Sequence, residues 1–412
     1  MKPNLSSVHL SGALCAHFLR STLCALTLLA CAASAQIWQT VDDYQYVAGQ
    51  SAENMSLAVA PSGMLLAAGW GKAADGLVHA LVMASADGGS TWSAPLDDFM
   101  YAPGDFAYYN TVASDPAGSL YAAGWVDDGV SFDRYWFTRR STDGGLTWST
   151  VDTVIRLGTD CIAQGTAADA FGNVYVAGYS GVYGWEIRKG IGGTNFTTVD
   201  SIPAAWDGAT AIYVHPTSGI FAVGAGAIGA TSSKQGRVTT NYGWLVRRST
   251  SGGVTWSSVD SFLLSSGRAS GASGIGADAL GNLYVVGYAD AVSGNGAKQA
   301  VCAHWIVRKS VNGGASWSTI DNYQLSSTYG SQASAFVADS KGNLYVVGSG
   351  SDAGGTHWIV RMSAGGTGTW STVDNFQSAP GDGTSAVAAA ANSTGNVFVG
   401  GSNGSHWLVR KH

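Results

Sequence analysis

The sequence closes with "HWLVRKH" (His406–His412), yet closely similar words elsewhere in the chain run on. From His304 the chain reads "HWIVRKSVNGGASWSTIDNY", from His357 "HWIVRMSAGGTGTWSTVDNF" and from Gly243 "GWLVRRSTSGGVTWSSVDSF". The last copy therefore lacks its "WSTVD". The nearest unclaimed one is "IWQTVDDY" (Ile37–Tyr44), at the opposite end of the chain.

Working outward, the "WSTVD" phrase occurs seven times, beginning at Trp38, Trp92, Trp148, Phe196, Trp256, Trp317 and Trp370. A second phrase keeps step with it, as in "PAGSLYAAGW" (Pro116–Trp125), "ALGNLYVVGY" (Ala279–Tyr288) and "SKGNLYVVGS" (Ser340–Ser349). Each unit thus holds an Ala/Ser-rich segment, the "GNLYVVG" segment, the "HWIVRKS" segment and the "WSTVD" segment. All are short, rich in Val, Ile, Tyr and Trp, and separated by Gly, Ser, Asn and Asp, which is the pattern of strands joined by turns. Four strands at a period of about 50 residues read as one blade of a β-propeller. The fold class is therefore all-β: a seven-bladed propeller of four-stranded antiparallel blades.

A ring of blades must close or leave two edges with unpaired backbone groups. One blade is accordingly expected to be built from both chain ends, with Ile37–Asp42 pairing with Trp407–Arg410. If Ser310 faces Trp317, then Arg308 faces Thr319 and lies diagonal to Asp321 on the same side of the sheet. The same partners recur as Arg139 with Asp152, Arg188 with Asp200, Arg247 with Asp260 and Arg361 with Asp374. The seventh pair, across the closure, would be Arg410 with Asp42. In the first blade the Arg position is Met83, and the fourth strand carries an extra residue around Pro95.

Residues 1–35 read as an export signal, with Lys2 and Arg20, the apolar "STLCALTLLACA" and a small-residue "ASA" before Gln36. Residues 36–412 then form the propeller domain, secreted or periplasmic. "LLAC", ending at Cys31, also resembles a lipoprotein box, the one route by which a membrane would become a partner. Outside the signal only Cys161 and Cys302 remain; they fall in non-adjacent units and are expected as two isolated thiols. Charged residues are 12% of the chain, far below the usual share of about 25%, and the net charge is -6 with no basic run, which argues against nucleic acid. No cofactor motif is present, and the chain is expected to be a monomer.

The turns "SADGGSTW" (Ser85–Trp92) and "STDGGLTW" (Ser141–Trp148) resemble the Asp-box of the sialidase-like (BNR) β-propellers. The "GNLYVVG" phrases are similar to the SBBP-type bacterial β-propeller repeat. In such a turn a short carboxylate accepts backbone N–H bonds while the Trp packs beneath it, which gives Asp87, Asp143, Trp92 and Trp148 structural roles. The resemblance implies that these turns lie on the face opposite an active site. A sialidase would need an arginine triad, a Tyr with its Glu and an Asp acid; Arg134, Arg156, Arg237 and Arg268 are scattered, and that activity is not expected.

His79, His304, His357 and His406 occupy one place in four units. Equivalent positions in a ring stand well apart, whereas a metal needs its ligands within a few ångströms of one centre, so they read as strand-start residues and no metal is expected. "VDDGVSFD" (Val126–Asp133) lacks a full calcium-loop pattern.

The seven units supply an internal comparison. The residue ending the "GNLYVVG" strand is Trp70, Trp125, Tyr179, Ala225, Tyr288, Ser349 and Ser402 in turn, so aromatics gather in the first three blades and the fifth. The connection "FMYAPGDFAYYN" (Phe99–Asn110) brings Asp105, Tyr108 and Tyr109 to the second blade, and Glu53 stands at the comparable place in the first. Aromatic planes beside carboxylates suit a sugar, whose C–H faces stack while its hydroxyls hydrogen-bond. Trp70, Tyr108, Tyr109, Trp125 and Tyr179 are therefore candidate ligand-binding residues. For a hydrolase, Glu53, Asp105 and Asp133 are candidate carboxyls, with Asp127 a further member; for a lyase, Tyr108, Tyr109 and Arg134 are. The leading expectation is a non-catalytic binding module for a glycan or a surface protein. The alternative is a glycoside hydrolase or polysaccharide lyase, and a purely structural repeat protein is the third class.

Overall fold

The structure, a computed structural model, describes residues 37–129, 133–181, 184–202, 208–232, 238–293 and 300–412. The expected signal and Cys31 lie outside these residues. From Gln39 to Lys411 the chain forms one compact unit of seven four-stranded antiparallel sheets. Blade 1 comprises Ala52–Val59, Leu65–Lys72, Val78–Ser85 and Asp97–Phe99, and the pattern repeats through blade 6, which ends on Ser371–Phe376. Blade 7 takes Ser385–Ala391, Val397–Ser402 and Trp407–Lys411 from the C-terminal end, and its fourth strand is Gln39–Tyr44. The closure reads Thr40 opposite Arg410 and Tyr44 opposite Trp407, so the pairing segment starts two residues later than Ile37.

Blades stack through side chains whose positions recur in the sequence. The third-strand Trp of one blade (Trp244, Trp305, Trp358 or Trp407) is fully buried and reaches the second-strand Gly of the next. At Gly287 a Cβ would lie 2.1 Å from the Gly271 carbonyl and 2.9 Å from the Trp244 ring, so the final Gly of "LYVVG" is dictated by this approach. Each such indole removes on the order of 200 Å² from water.

The arginine ladder corrects the expected register. Arg308 does face Thr319, and its Nη1 donates to the Thr319 hydroxyl at 3.1 Å. However, Ile320 is bulged, so Asp321 pairs with Val307 and turns to the opposite side of the sheet. There it meets the arginine of the following blade, and Arg308 takes the aspartate of the preceding one. The ion pairs are Arg139–Asp97, Arg188–Asp152, Arg247–Asp200, Arg308–Asp260, Arg361–Asp321 and Arg410–Asp374, none within a blade. Arg308 is typical, with Nε to Oδ2 and Nη2 to Oδ1 both at 2.8 Å and the guanidinium 4.4 Å from the ring centre of Phe262. Such bidentate, stacked geometry is specific to arginine.

The expected pair of Arg410 with Asp42 is therefore absent, because Arg410 holds Asp374 at 2.8 Å. Asp42 points toward blade 1, where Met83 stands in the arginine position and is 2% exposed. Its Oδ2 is buried with no hydrogen-bond partner. Burial first, and the neighbouring Asp43 second, push its carboxyl up to about 7 from an ordinary 3.8. The other fastenings survive at this seam: Trp407 reaches Gly69, and Lys411 Nζ donates to the Gly88 carbonyl at 2.9 Å.

Since the folded-state pKa of Asp42 lies above its unfolded value, its contribution is fully present below about pH 4 and is lost as pH rises through about 7. Asp42→Asn is expected to match the parent at low pH and to exceed its stability by about 2–4 kcal/mol above pH 7. Urea unfolding across that range checks this, and parallel pH profiles would contradict it. Met83→Arg, which supplies the missing guanidinium, should remove the same slope.

Candidate functional site

Because successive strands are antiparallel, each blade has a loop end and a turn end. The loop end carries the hairpin between second and third strands and the connection to the next blade. At the turn end, Asp87 Oδ1 accepts the N–H groups of Ser90 and Thr91 at 2.9 Å, and Oδ2 accepts the Thr91 hydroxyl at 2.7 Å. Bonds from Thr91, foremost its hydroxyl, hold the Asp87 carboxyl near 2; Asp143 is held likewise by Thr147. Trp92 and Trp148 pack against the hydrophobic cores beside these turns, and Trp148 Nε1 donates to Gly145 O at 3.2 Å.

The central channel contributes a feature that the sequence does not announce. Every first strand has a bulge at the same height, and the bulged residues Met55, Asn110, Gln164, Thr210, Ser273 and Ser334, with Val387, form a collar around a cavity of about 240 Å³. Thr210 and Asn110 are tied down, donating to Ala272 O at 2.7 Å and Ala163 O at 2.8 Å. Toward the turn end the channel widens to about 470 Å³, lined chiefly by Ala, Val, Leu57 and Phe336, with Tyr213 as its titratable group. Bulge positions depend on strand pairing, which no composition pattern along one strand reveals.

At the loop end of blades 1 and 2 the candidates converge. Glu53 is paired in register with Trp70, and Tyr108 with Trp125, so these four occupy equivalent positions on adjacent blades. Tyr108 stacks on Trp125 at 4.0 Å and 13° and meets Trp70 edge-on at 5.7 Å. All three rings are half-buried. The Arg134 guanidinium lies 4.6 Å from the Trp125 ring centre and 3.6 Å from Asp160. The result is an aromatic ledge of three rings capped by one cation.

The carboxyls around it are held by the chain. Burial raises the Glu53 pKa, against the opposing pull of Trp70 and of Ser402 of blade 7. Asp105 is buried and raised for the same first reason, with Asp128 and Asp127 adding repulsion. Asp133 accepts the Gly158 N–H at 2.9 Å, and Asp127 that of Gly129 at 2.9 Å. Burial, then the charge of Asp127, raises the Tyr108 phenol. Tyr179 stands in the corresponding position of blade 3, opposite Ile162.

Tyr109 does not join the ledge. It points to the other side of the sheet, is fully buried and donates its hydroxyl to Asp97, the aspartate that Arg139 clamps. Alternation along the strand separates it from Tyr108, and it serves the interface between blades 1 and 2. Glu186 of blade 3, which sequence reading passed over, is fully buried and accepts from Arg156 at 2.9 Å and Thr198 at 2.6 Å. An ionisable residue where other units have Phe, Leu or Ile was the available signal. The repeated histidines bond to the fourth strand of their own blade, as His79 to Asp98 and His304 to Asn322, both at 2.6 Å. Cys161 is buried, Cys302 half-buried, and both are free thiols.

No family model matches the chain, and no curated protein matches it. Solved structures share the fold. Penicillium chrysogenum α-L-arabinanase, complexed with arabinobiose, is 13% identical, with a TM-score of 0.51 over 90% of this chain and 98% of that one. A family PL25 ulvan lyase is 11% identical, with a TM-score of 0.51 over 89% and 95%. A chain of the mitotic checkpoint complex is 8% identical, with a TM-score of 0.51 over 91% of each. The likeness is one of fold: propellers among carbohydrate-active enzymes and in a protein assembly.

Tyr109→Phe removes one bond to a buried carboxylate and is expected to lower stability by about 1–3 kcal/mol. Chemical denaturation measures this, and an unchanged midpoint would remove Tyr109 from the interface.

Proposed function

We propose that this protein is an exported, non-catalytic β-propeller that binds a glycan on the aromatic ledge of Trp70, Tyr108 and Trp125. The observation that carries the reading is the ledge itself. Three half-buried rings are fixed by strand register, with hydrogen-bonding carboxylates at their edges. Sugars offer C–H faces to such rings and hydroxyls to such carboxylates. The non-catalytic part is supported by the engagement of two candidate groups, Asp133 with Gly158 and Tyr109 with Asp97. General acid–base chemistry needs a group poised toward the substrate, and these are turned to the chain's own donors and acceptors. The arabinanase and the ulvan lyase carry out sugar chemistry on this fold, in keeping with a glycan ligand.

We also propose kinship with the Asp-box propellers, on the strength of the Ser85–Trp92 and Ser141–Trp148 turns, and with the SBBP-type propellers, on that of the "GNLYVVG" phrases. In this reading residues 1–35 export the chain to the periplasm or medium, where it acts as a monomer.

A panel of neutral, acidic and amino polysaccharides, scored for retention and for released product in the same wells, tests the reading. Retention without product is expected, and Trp70→Ala with Trp125→Ala should weaken it at least tenfold in a folded protein. Released sugar or unsaturated ends would replace the binding module with an enzyme, and unaffected binding by the double variant would remove the ledge.

A further inference from the structure

The central channel is a second concave site, and it opens at the end opposite the ledge. Past the bulges, segments such as Leu57–Val59, Val112–Ser114 and Thr166–Ala168 carry the inner strands on toward the turn end. Three residues at the rise of a strand give a depth of about 10 Å. Over that depth the strands enclose the tube of about 470 Å³, within the range of roughly 300–1,000 Å³ that small-ligand pockets occupy. Its wall is aliphatic, with Leu57, Val112, Ile275 and Phe336 among smaller residues, and it carries no charged side chain. Burial pushes the phenol of Tyr213 upward, so that it stays neutral.

The mouth at the turn end is apolar too. Val59, Ala60, Pro61, Pro116 and Ala168 line it, beside Asp115, whose carboxyl accepts from the Ser119 N–H at 2.9 Å and the Tyr121 hydroxyl at 3.1 Å. Phe171 and Leu280, each 88% exposed, tip the turns that follow Ala168 and Ala277 of the tube wall. The inner end of the tube is different. There the collar surrounds about 240 Å³, and Gln164, Ser273 and Ser334 make no hydrogen bond with the described residues, while their polar atoms are accessible. The collar holds neither a cation to receive an acid head nor a carboxylate to receive an amine.

We propose that the channel binds a neutral single-chain amphiphile such as a primary alcohol, its hydroxyl in the collar and its alkyl chain in the tube. The hydroxyl both donates and accepts, which suits the amide of Gln164 and the hydroxyls of Ser273 and Ser334. The chain displaces water that finds few partners on an aliphatic wall, and each methylene buried is worth about fourfold in affinity. A carboxylate or an ammonium would lose its water without gaining a counter-charge, at a cost of about tenfold or more. This site does not rest on the glycan reading of the ledge.

Calorimetric titration of the protein with the primary alcohols butanol, hexanol and octanol, and with octanoate and octylammonium, tests the proposal at about pH 7, where both ionic heads are charged. Affinity is expected to rise about fourfold per carbon from butanol to octanol, and octanol should bind about tenfold or more tighter than either ion. Gln164→Met with Ser273→Ala should weaken every alcohol by about fivefold and leave the gain per carbon unchanged. Ala389→Phe, which narrows the tube from blade 7, should abolish octanol binding, and Ala113→Phe repeats the block from blade 2 in case the first variant does not fold. Failure of every alcohol, an affinity independent of chain length, or equal binding of octanoate would overturn the proposal. So would octanol binding that survives either blocking substitution in a folded protein.

Discussion

The ring depends on an arginine that reaches backward by one blade. A bulge in the third-to-fourth strand pairing turns each clamp aspartate away from its own sheet, as at Ile320 and Asp321, and the next blade's guanidinium closes on it. Fewer than a tenth of the Arg308 and Arg361 surfaces are exposed, so each clamp is a desolvated pair whose partners would be costly to leave alone. Orientation is secured by the aromatic ring beneath the guanidinium and by the hydroxyl of its own fourth strand, as with Phe376 and Thr40 around Arg410. Hydrophobic wedges such as Trp244 against Gly287 supply the bulk of the contact, and the clamps set the angle at which it is made.

Where the clamp is missing, its importance becomes visible. The seam between blades 7 and 1 keeps the wedge and the Lys411 bond, but Met83 leaves Asp42 buried without a cation. This is also the joint beside the blade that the chain closes from its two ends. The consequence reaches the candidate site, because Ala52, the residue before Glu53, donates its N–H to the Ser405 carbonyl of blade 7 at 3.1 Å. The ledge is therefore built beside the joint whose electrostatics change near neutral pH.

Much of this was legible in the sequence, because repetition turned one chain into seven comparable units. The number of blades, the closing strand and the four-strand unit follow from Trp, Gly and Asp recurring in step. The pairing partner of Arg308 among the hydroxyls was correct, and that of its carboxylate was not. A single bulged residue reverses the side on which Asp321 emerges, and a bulge has no signature in the spacing of one strand. The same limit hid the polar collar of the channel. At the loop end, departures from the repeat did point to Glu53, Trp70, Tyr108 and Trp125, which the fold brings into one cluster. Tyr109 was grouped with them through adjacency in sequence, although strand alternation sends it into the interface.

A double-mutant cycle tests the clamp between blades most directly. Arg308→Met combined with Asp260→Asn, in the neighbouring blade, is expected to show a coupling of about 2–3 kcal/mol in unfolding free energy. Arg308→Met combined with Asp321→Asn, in its own blade, should be additive within about 0.5 kcal/mol. Strong coupling to Asp321 and none to Asp260 would contradict the account, returning each clamp to the inside of its own blade.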